Sequence, residues 1–178
     1  MPSNAGIPVN PNFAFPHHTD SFPKLMSRED QLLDLYNRFQ KIHVLLDDGD
    51  RRGLQNSDLT TSQYFLLMHL GTKGDGSLTI TNLATYLICS RSNATRMVRR
   101  LEDQGLVQSE RDTKDRRLVL VSLTDKGREK FLEAQELHRE AVLRRMSMLS
   151  PDTCARLMEM TGEFVSILEK DLQAINGG

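Results

Sequence analysis

Between Thr79 and Gly127 the hydrophobic period switches from helical to strand-like and back, and few folds accommodate that order. Ile80, Leu83, Ala84 and Leu87 recur at i, i+3, i+4, i+7, and so do Ala94, Met97, Val98 and Leu101. Each set is the apolar stripe of an amphipathic helix. The spacing predicts helices over 80–87 and 91–104, separated by about three residues. Thr79 and Ser90 stand at N-cap positions, and Gly105 stands where a C′ glycine ends the second helix. Residues 106–110 and 118–123 then read as strands, the second dense in Leu and Val. Between them lies the run Arg111-Asp112-Thr113-Lys114-Asp115-Arg116-Arg117. Two short helices joined by a tight turn form a helix-turn-helix, and a charged tip between two strands directly after it is a wing. Thr124 is expected to cap a long helix that follows.

The outer face of the second helix carries Ser92, Thr95, Arg96 and Arg99, flanked by Arg91, Asn93 and Arg100, and no acid. Short hydroxyls beside guanidinium forks suit base edges and phosphates. The whole chain has a formal net charge of −1, so charge has to be read locally. Residues 90–117 hold eight basic side chains against five acids, a balance of +3. A local positive field steers DNA association despite a neutral total. Arg96 and Arg99 are the leading candidates for DNA contact. Arg91, Lys114 and Arg116 read as phosphate contacts, which position without reading sequence. Ser90, Ser92, Asn93 and Thr95 are candidate base or phosphate contacts.

At 178 residues the chain is expected to form one domain, or one domain plus an arm. No apolar run approaches the roughly 18 residues of a membrane span, and the first thirty residues show no secretory signal. Two cysteines without metal or redox spacing, Cys89 and Cys154, fit a reducing cytoplasm. Residues 1–27 hold five of the six prolines, with Phe13, Phe15, Phe22 and the pair His17-His18. That density forbids a helix. The arm reads either as a flexible tail or as a segment whose phenylalanines dock on the domain or on a partner subunit. Two adjacent histidines without a third ligand do not make a metal site.

The spacing predicts a helix over 28–47, with Leu32, Leu35, Tyr36, Phe39, Ile42, Leu45 and Leu46 on its apolar face. Residues 47–53 read as a polar connector; no glutamate closes it as a calcium loop. Thr60 and Gln63 form a capping box before an apolar helix over 64–70. Gly71, Gly74 and Gly76 suggest a loose loop, without the Lys-Ser or Lys-Thr of a phosphate cradle. After the wing, 125–148 reads as one helix with Phe131, Leu132, Leu137, Val142 and Leu143 as its apolar contacts. Ser150-Pro151 opens a last helix, marked by Cys154, Leu157, Met158, Thr161, Val165, Leu168 and Leu172 and ending near Asn176-Gly177. One winged domain has too little core to cover both terminal helices, which points to dimerisation. The expected fold class is mainly α with a small β-wing: a winged helix-turn-helix domain plus long terminal dimerisation helices.

The run Leu83-Ala84, Ser90-Arg91, Thr95-Arg96, Leu101-Glu102, Gly105-Leu106-Val107, Asp115-Arg116-Arg117 and Leu123-Thr124-Asp125-Lys126-Gly127 resembles the MarR family of bacterial transcription regulators. The specific part is the wing, where an Asp, an Arg two positions on and a terminal Leu-Thr-x-x-Gly coincide. One position departs: Ile88 stands where the family often has Gly or a small polar residue. The resemblance covers the chain from about Arg28 onward. It implies 28–58 and 128–178 as mainly dimerisation helices and 59–127 as the winged helix-turn-helix. It implies that Arg117 enters a minor groove, where a narrow groove attracts a cation, and that Asp115 braces it. It also implies an effector pocket for a small aromatic or anionic molecule, with Tyr36, His43, Met68 and His69 as candidate lining residues. The bland reading of the two histidines is ordinary packing.

Cys89 sits in the turn before the reader helix. It reads as a small buried hydrophobe or as an oxidant-sensitive thiol whose modification would displace that helix. The resemblance implies a sequence-specific regulator of double-stranded DNA, acting as a homodimeric repressor on a pseudo-palindromic operator and released by a small molecule or stress signal. The alternative is a winged-helix protein-interaction module without specific DNA binding, since fold alone does not give function; the arginines of the reader helix favour DNA. No catalytic constellation is present, and no enzyme activity, cofactor or metal is expected.

Overall fold

A computed structural model of the chain describes residues 26–72, 76–113 and 115–176. The chain divides into two compact units, residues 1–41 and 42–178. The arm's phenylalanines and histidines lie outside the described residues.

Helix α1 spans Arg28–Gly53. It opens on a reciprocal cap, in which the Asp30 amide donates to Ser27 Oγ and the Ser27 amide to the Asp30 carboxylate. The run 47–53, expected as a connector, is instead the last two turns of this helix. Asp48 accepts hydrogen bonds from both Arg51 and Arg52 at helical spacing, and those arginines sit at the negative end of the helix dipole. They hold the Asp48 carboxyl below its ordinary range. The glycines in this run serve contact rather than flexibility. A Cβ at Gly53 would lie 2.7 Å from the Ala141 methyl, and one at Gly49 would overlap the Arg145 guanidinium.

Helix α2, Thr61–Thr72, is opened by the expected capping box: the Thr60 amide donates to Gln63 Oε1 at 2.9 Å and the Gln63 amide to Thr60 Oγ1 at 3.3 Å. It runs on through Gly71, expected in a loop, because the bare backbone there admits the Phe131 ring, 2.6 Å from where a Cβ would stand. Gly74 lies outside the described residues. Gly76 turns the chain at φ +70° into a strand the periodicity does not foresee, β1, Ser77–Thr79.

Helix α3 is Ile80–Tyr86 and α4 is Arg91–Asp103. Strands β2, Val107–Arg111, and β3, Val119–Leu123, form the wing. The sheet is antiparallel in the order β1-β3-β2, with Leu78 opposite Val121 and Val107 opposite Leu123. Leu78, Val107 and Val121 turn inward from the three strands and are buried. Helices α5, Asp125–Met146, and α6, Pro151–Asn176, complete the chain. The core gathers Leu54, Leu66, Leu67, Leu70, Leu83, Leu101 and Val121, all fully buried.

Helix α5 departs from its expected face. Leu132 and Leu143 are exposed, Leu137 and Val142 half-buried, and the inward stripe is Gly127, Phe131, Ala134, His138, Ala141 and Arg145. Small residues win these positions because α5 approaches its neighbours closely. At Gly127 a Cβ would stand 1.8 Å from the Leu106 carbonyl oxygen.

Candidate nucleic-acid interface

The reader helix α4 is positioned at both ends. At its start, Ser90 Oγ accepts the Asn93 amide at 3.2 Å. Ala94, Val98 and Leu101 are buried, so the opposite face is turned out: Arg91, Ser92, Asn93, Arg96, Arg99 and Arg100 are exposed. Among the described residues no acid forms an ion pair with any of these four arginines. Arg96 is steadied by Asn93, whose Oδ1 accepts from Nη2 at 3.1 Å. Thr95 is half-buried and gives its hydroxyl proton to the Arg91 carbonyl at 2.9 Å. What it offers a partner is a methyl and a lone pair.

The far end of α4 is bolted to the start of α5. Gly105 takes φ +70°, and its carbonyl accepts from Thr124 Oγ1 at 2.7 Å. Lys126 Nζ donates to the Gln104 carbonyl, also at 2.7 Å. The same Thr124 hydroxyl caps α5 by accepting the Gly127 amide, while the Thr124 amide donates to the Leu106 carbonyl. Leu-Thr-x-x-Gly thus ends the wing, caps α5 and anchors the reader helix at once.

In the turn between α3 and α4, Ile88 has φ +48° and is 92% exposed. Cys89 is half-buried, its amide donating to the Ala84 carbonyl. At the wing tip, Asp115 holds Arg117 through its side chain and backbone. Oδ1 accepts Arg117 Nε and the Arg117 amide, both at 3.0 Å, and Oδ2 accepts Nη2 at 3.2 Å. These bonds lower the Asp115 pKa. The Arg117 side chain stays 90% exposed, beside exposed Arg111 and Arg116. Lys114 lies outside the described residues.

The four candidate effector residues occupy different settings. Tyr36 is exposed within the unit 1–41. His43 is exposed on α1, and Met68 packs against the core. His69 stacks on Tyr86 with ring centroids 5.0 Å apart, and burial lowers its pKa.

A polar joint that the sequence does not reveal ties α1, α2 and α5 together. Arg145 Nη2 meets Asp50 Oδ1 at 2.5 Å and Nη1 donates to the Leu46 carbonyl. The Tyr64 hydroxyl lies 3.3 Å from His138 Nδ1. His138 Nε2 is 3.4 Å from Asp50 Oδ1, within ion-pair reach but without hydrogen-bond alignment. Burial, reinforced by the Asp50 charge, raises the Tyr64 pKa. Asp50 and Arg145 are 95 positions apart, so no local motif brings them to notice.

These elements define a winged helix-turn-helix protein with a basic, exposed reader helix and an arginine-tipped wing. The MarR family model matches residues 59–119. The HTH-type transcriptional repressor MdtR of Bacillus subtilis strain 168 is 32% identical over 152 residues, covering 85% of this chain and 92% of that protein. The crystal structure of Sco3205, a MarR family transcriptional regulator from Streptomyces coelicolor solved in complex with DNA, superposes with a TM-score of 0.72 at 29% identity, covering 83% and 94% of the two chains. The transcriptional regulator BldR of Sulfolobus solfataricus gives 0.67 at 30% identity, covering 79% and 99%. The chain belongs to the MarR family and is a DNA-binding transcription regulator. The curated relatives it matches are transcription regulators. Among the described residues no helix is long and apolar enough to cross a membrane.

Proposed function

We propose that this protein is a repressor that binds a pseudo-palindromic operator as a symmetric homodimer. Each copy lays α4 in a major groove and Arg117 in the flanking minor groove. The observation that carries this reading is the exposed face of α4, with arginines that no acid of the described chain pairs, together with a wing arginine that Asp115 holds while it stays 90% exposed. Support for the dimer comes from α1 and α6. No described residue of either helix is buried, while Leu45, Ile167, Leu172 and Ile175 among others stand exposed. Two reader helices on one symmetric body require half-sites about one helical turn apart. Release follows by population shift. A small aromatic or anionic molecule that prefers another spacing of the two reader helices lowers DNA affinity.

The experiment is a selection of genomic fragments by purified protein, repeated with the double variant Arg96→Ala/Arg117→Ala. Recovery of a few palindromic sites, lost in the variant, is the expected result. Equal recovery of salt-sensitive, sequence-indifferent fragments by both proteins would overturn it. Arg117→Ala alone is expected to weaken specific binding by about 1–3 kcal/mol.

A further inference from the structure

The Arg117–Asp115 pair is short of support on its own terms. Arginine loses up to about 2 kcal/mol of rotamer freedom when fixed, and here the side chain is almost wholly solvent-exposed, where an ion pair contributes little. Asp115 can hold Arg117 in one direction only if Asp115 is itself held. The wing shows what holds it. Asp112 Oδ1 accepts the Asp115 amide at 2.8 Å. The Leu118 amide donates to the Asp115 carbonyl at 2.9 Å, and the Asp112 amide to the Leu118 carbonyl at 3.0 Å. Three hydrogen bonds thus close a ring through residues 112, 115 and 118 at the base of the tip. Only one of them, from Asp112, uses a side chain. Charge sharpens the point. A carboxylate beside Arg111, Arg116 and Arg117 repels phosphate and lowers DNA affinity unless its geometry returns more than its charge removes.

We propose that Asp112 is a positioning residue for DNA recognition: its half-buried carboxylate pins the Asp115 backbone so that Asp115 can aim the Arg117 guanidinium into the minor groove. The inference rests on the minor-groove reading of Arg117. Because the carboxylate acts as an acceptor, an amide in its place preserves the function. Because it acts through Arg117, its removal has no further effect once Arg117 is gone.

The test uses a duplex recovered from random-sequence DNA by the full-length protein. Affinities are measured for the wild type, Asp112→Ala, Asp112→Asn, Arg117→Ala and the double variant Asp112→Ala/Arg117→Ala, with thermal melting to register folding. Asp112→Ala is expected to bind roughly three- to tenfold more weakly, the loss of one hydrogen bond's net worth. Asp112→Asn, which keeps the acceptor and sheds the charge, should bind at least as tightly as the wild type, and the double variant no more weakly than Arg117→Ala. Placing G·C rather than A·T pairs in the flanking minor groove of that duplex, which adds the guanine amino group there, should penalise the wild type and Asp112→Asn but not Asp112→Ala. Additive losses in the double variant overturn the inference, as does equal weakness of Asp112→Ala and Asp112→Asn. So does unchanged binding by Asp112→Ala while Arg117→Ala is impaired, a pattern that spares the minor-groove reading. Unchanged binding by Arg117→Ala removes both.

Discussion

At Ile88 a β-branched residue adopts a left-handed backbone, φ +48°, at a position 92% exposed. Such a conformation costs on the order of 1–3 kcal/mol, and exposure means no burial compensates. Ile88→Gly should therefore raise stability by about 1 kcal/mol, after the extra chain entropy of glycine is subtracted. Urea unfolding would show a higher midpoint at unchanged slope; a lower midpoint would mean that the turn is not strained. His69 gives a pH signature at the same scale. Burial against Tyr86 holds its folded pKa below the ordinary 6.5, so the unfolded chain takes up a proton more readily. The stability tied to neutral His69 is complete above about pH 6.5 and is lost as pH falls through the lowered folded value. His69→Phe keeps a ring for the stack and removes the proton, so its unfolding free energy should fall less than that of the wild type between neutral and mildly acidic pH. Parallel pH profiles for the two proteins would refute the assignment.

Among the elements, those with an end signal and a full helical period were legible, and the others fail for identifiable reasons. The N-caps Thr79, Ser90 and Thr124 each accept the amide three residues on, which is why α3, α4 and α5 begin where the sequence places them. Strand β1 has three residues and one inward side chain, Leu78, so it carries no alternation to detect. Residues 47–53 look like a loop because their support comes from Asp48 pairing along the helix and from Arg145 across it. The inward stripe of α5 hides because glycine, alanine, histidine and arginine do not read as apolar, while exposed Leu132 and Leu143 do. The outward arginines of α4 were legible because one helix face needs only one turn's spacing. The brace at the other end of α4 was visible as a motif, but its mechanics were not. That brace makes two predictions. Gly127→Ala forces a methyl against a backbone carbonyl that has no flexible end to move, and should destabilise the fold by roughly 2–4 kcal/mol. Lys126→Met keeps the apolar stem and removes only the bond to the Gln104 carbonyl. It should cost about 1 kcal/mol of stability or less and weaken operator binding, because the reader helix is freed at its C-terminal end. Full affinity with Lys126→Met would show that the Thr124 contacts suffice alone.

For the whole molecule, the decisive feature is apolar surface that no described residue buries. Helix α6 exposes Leu157, Met158, Met160, Val165, Ile167, Leu168, Leu172 and Ile175, and the 42–53 part of α1 adds Ile42, Val44, Leu45 and Leu46. Surface of this extent in water marks an interface, and a symmetric pair of chains is the commonest way to cover it. The net charge of −1 bears on what such a pair would offer DNA. One copy offers DNA a single basic face on a body of opposite balance, whereas in the proposed dimer two faces held side by side would engage two half-sites at once. Their joint affinity then exceeds either alone by roughly a hundredfold or more through effective concentration. Leu168 and Leu172 are one helical turn apart and both exposed, so Leu168→Glu/Leu172→Glu places two like charges in the proposed interface without disturbing the core of the winged domain. The variant is expected to sediment as a monomer, to keep its helical circular dichroism, to bind an isolated half-site as weakly as the wild type does, and to lose the advantage of the full palindrome. Sedimentation as a dimer with undiminished preference for the full site would place the interface elsewhere. A wild-type protein that sediments as a monomer while preferring the full site would mean that DNA, rather than α6, brings the two copies together.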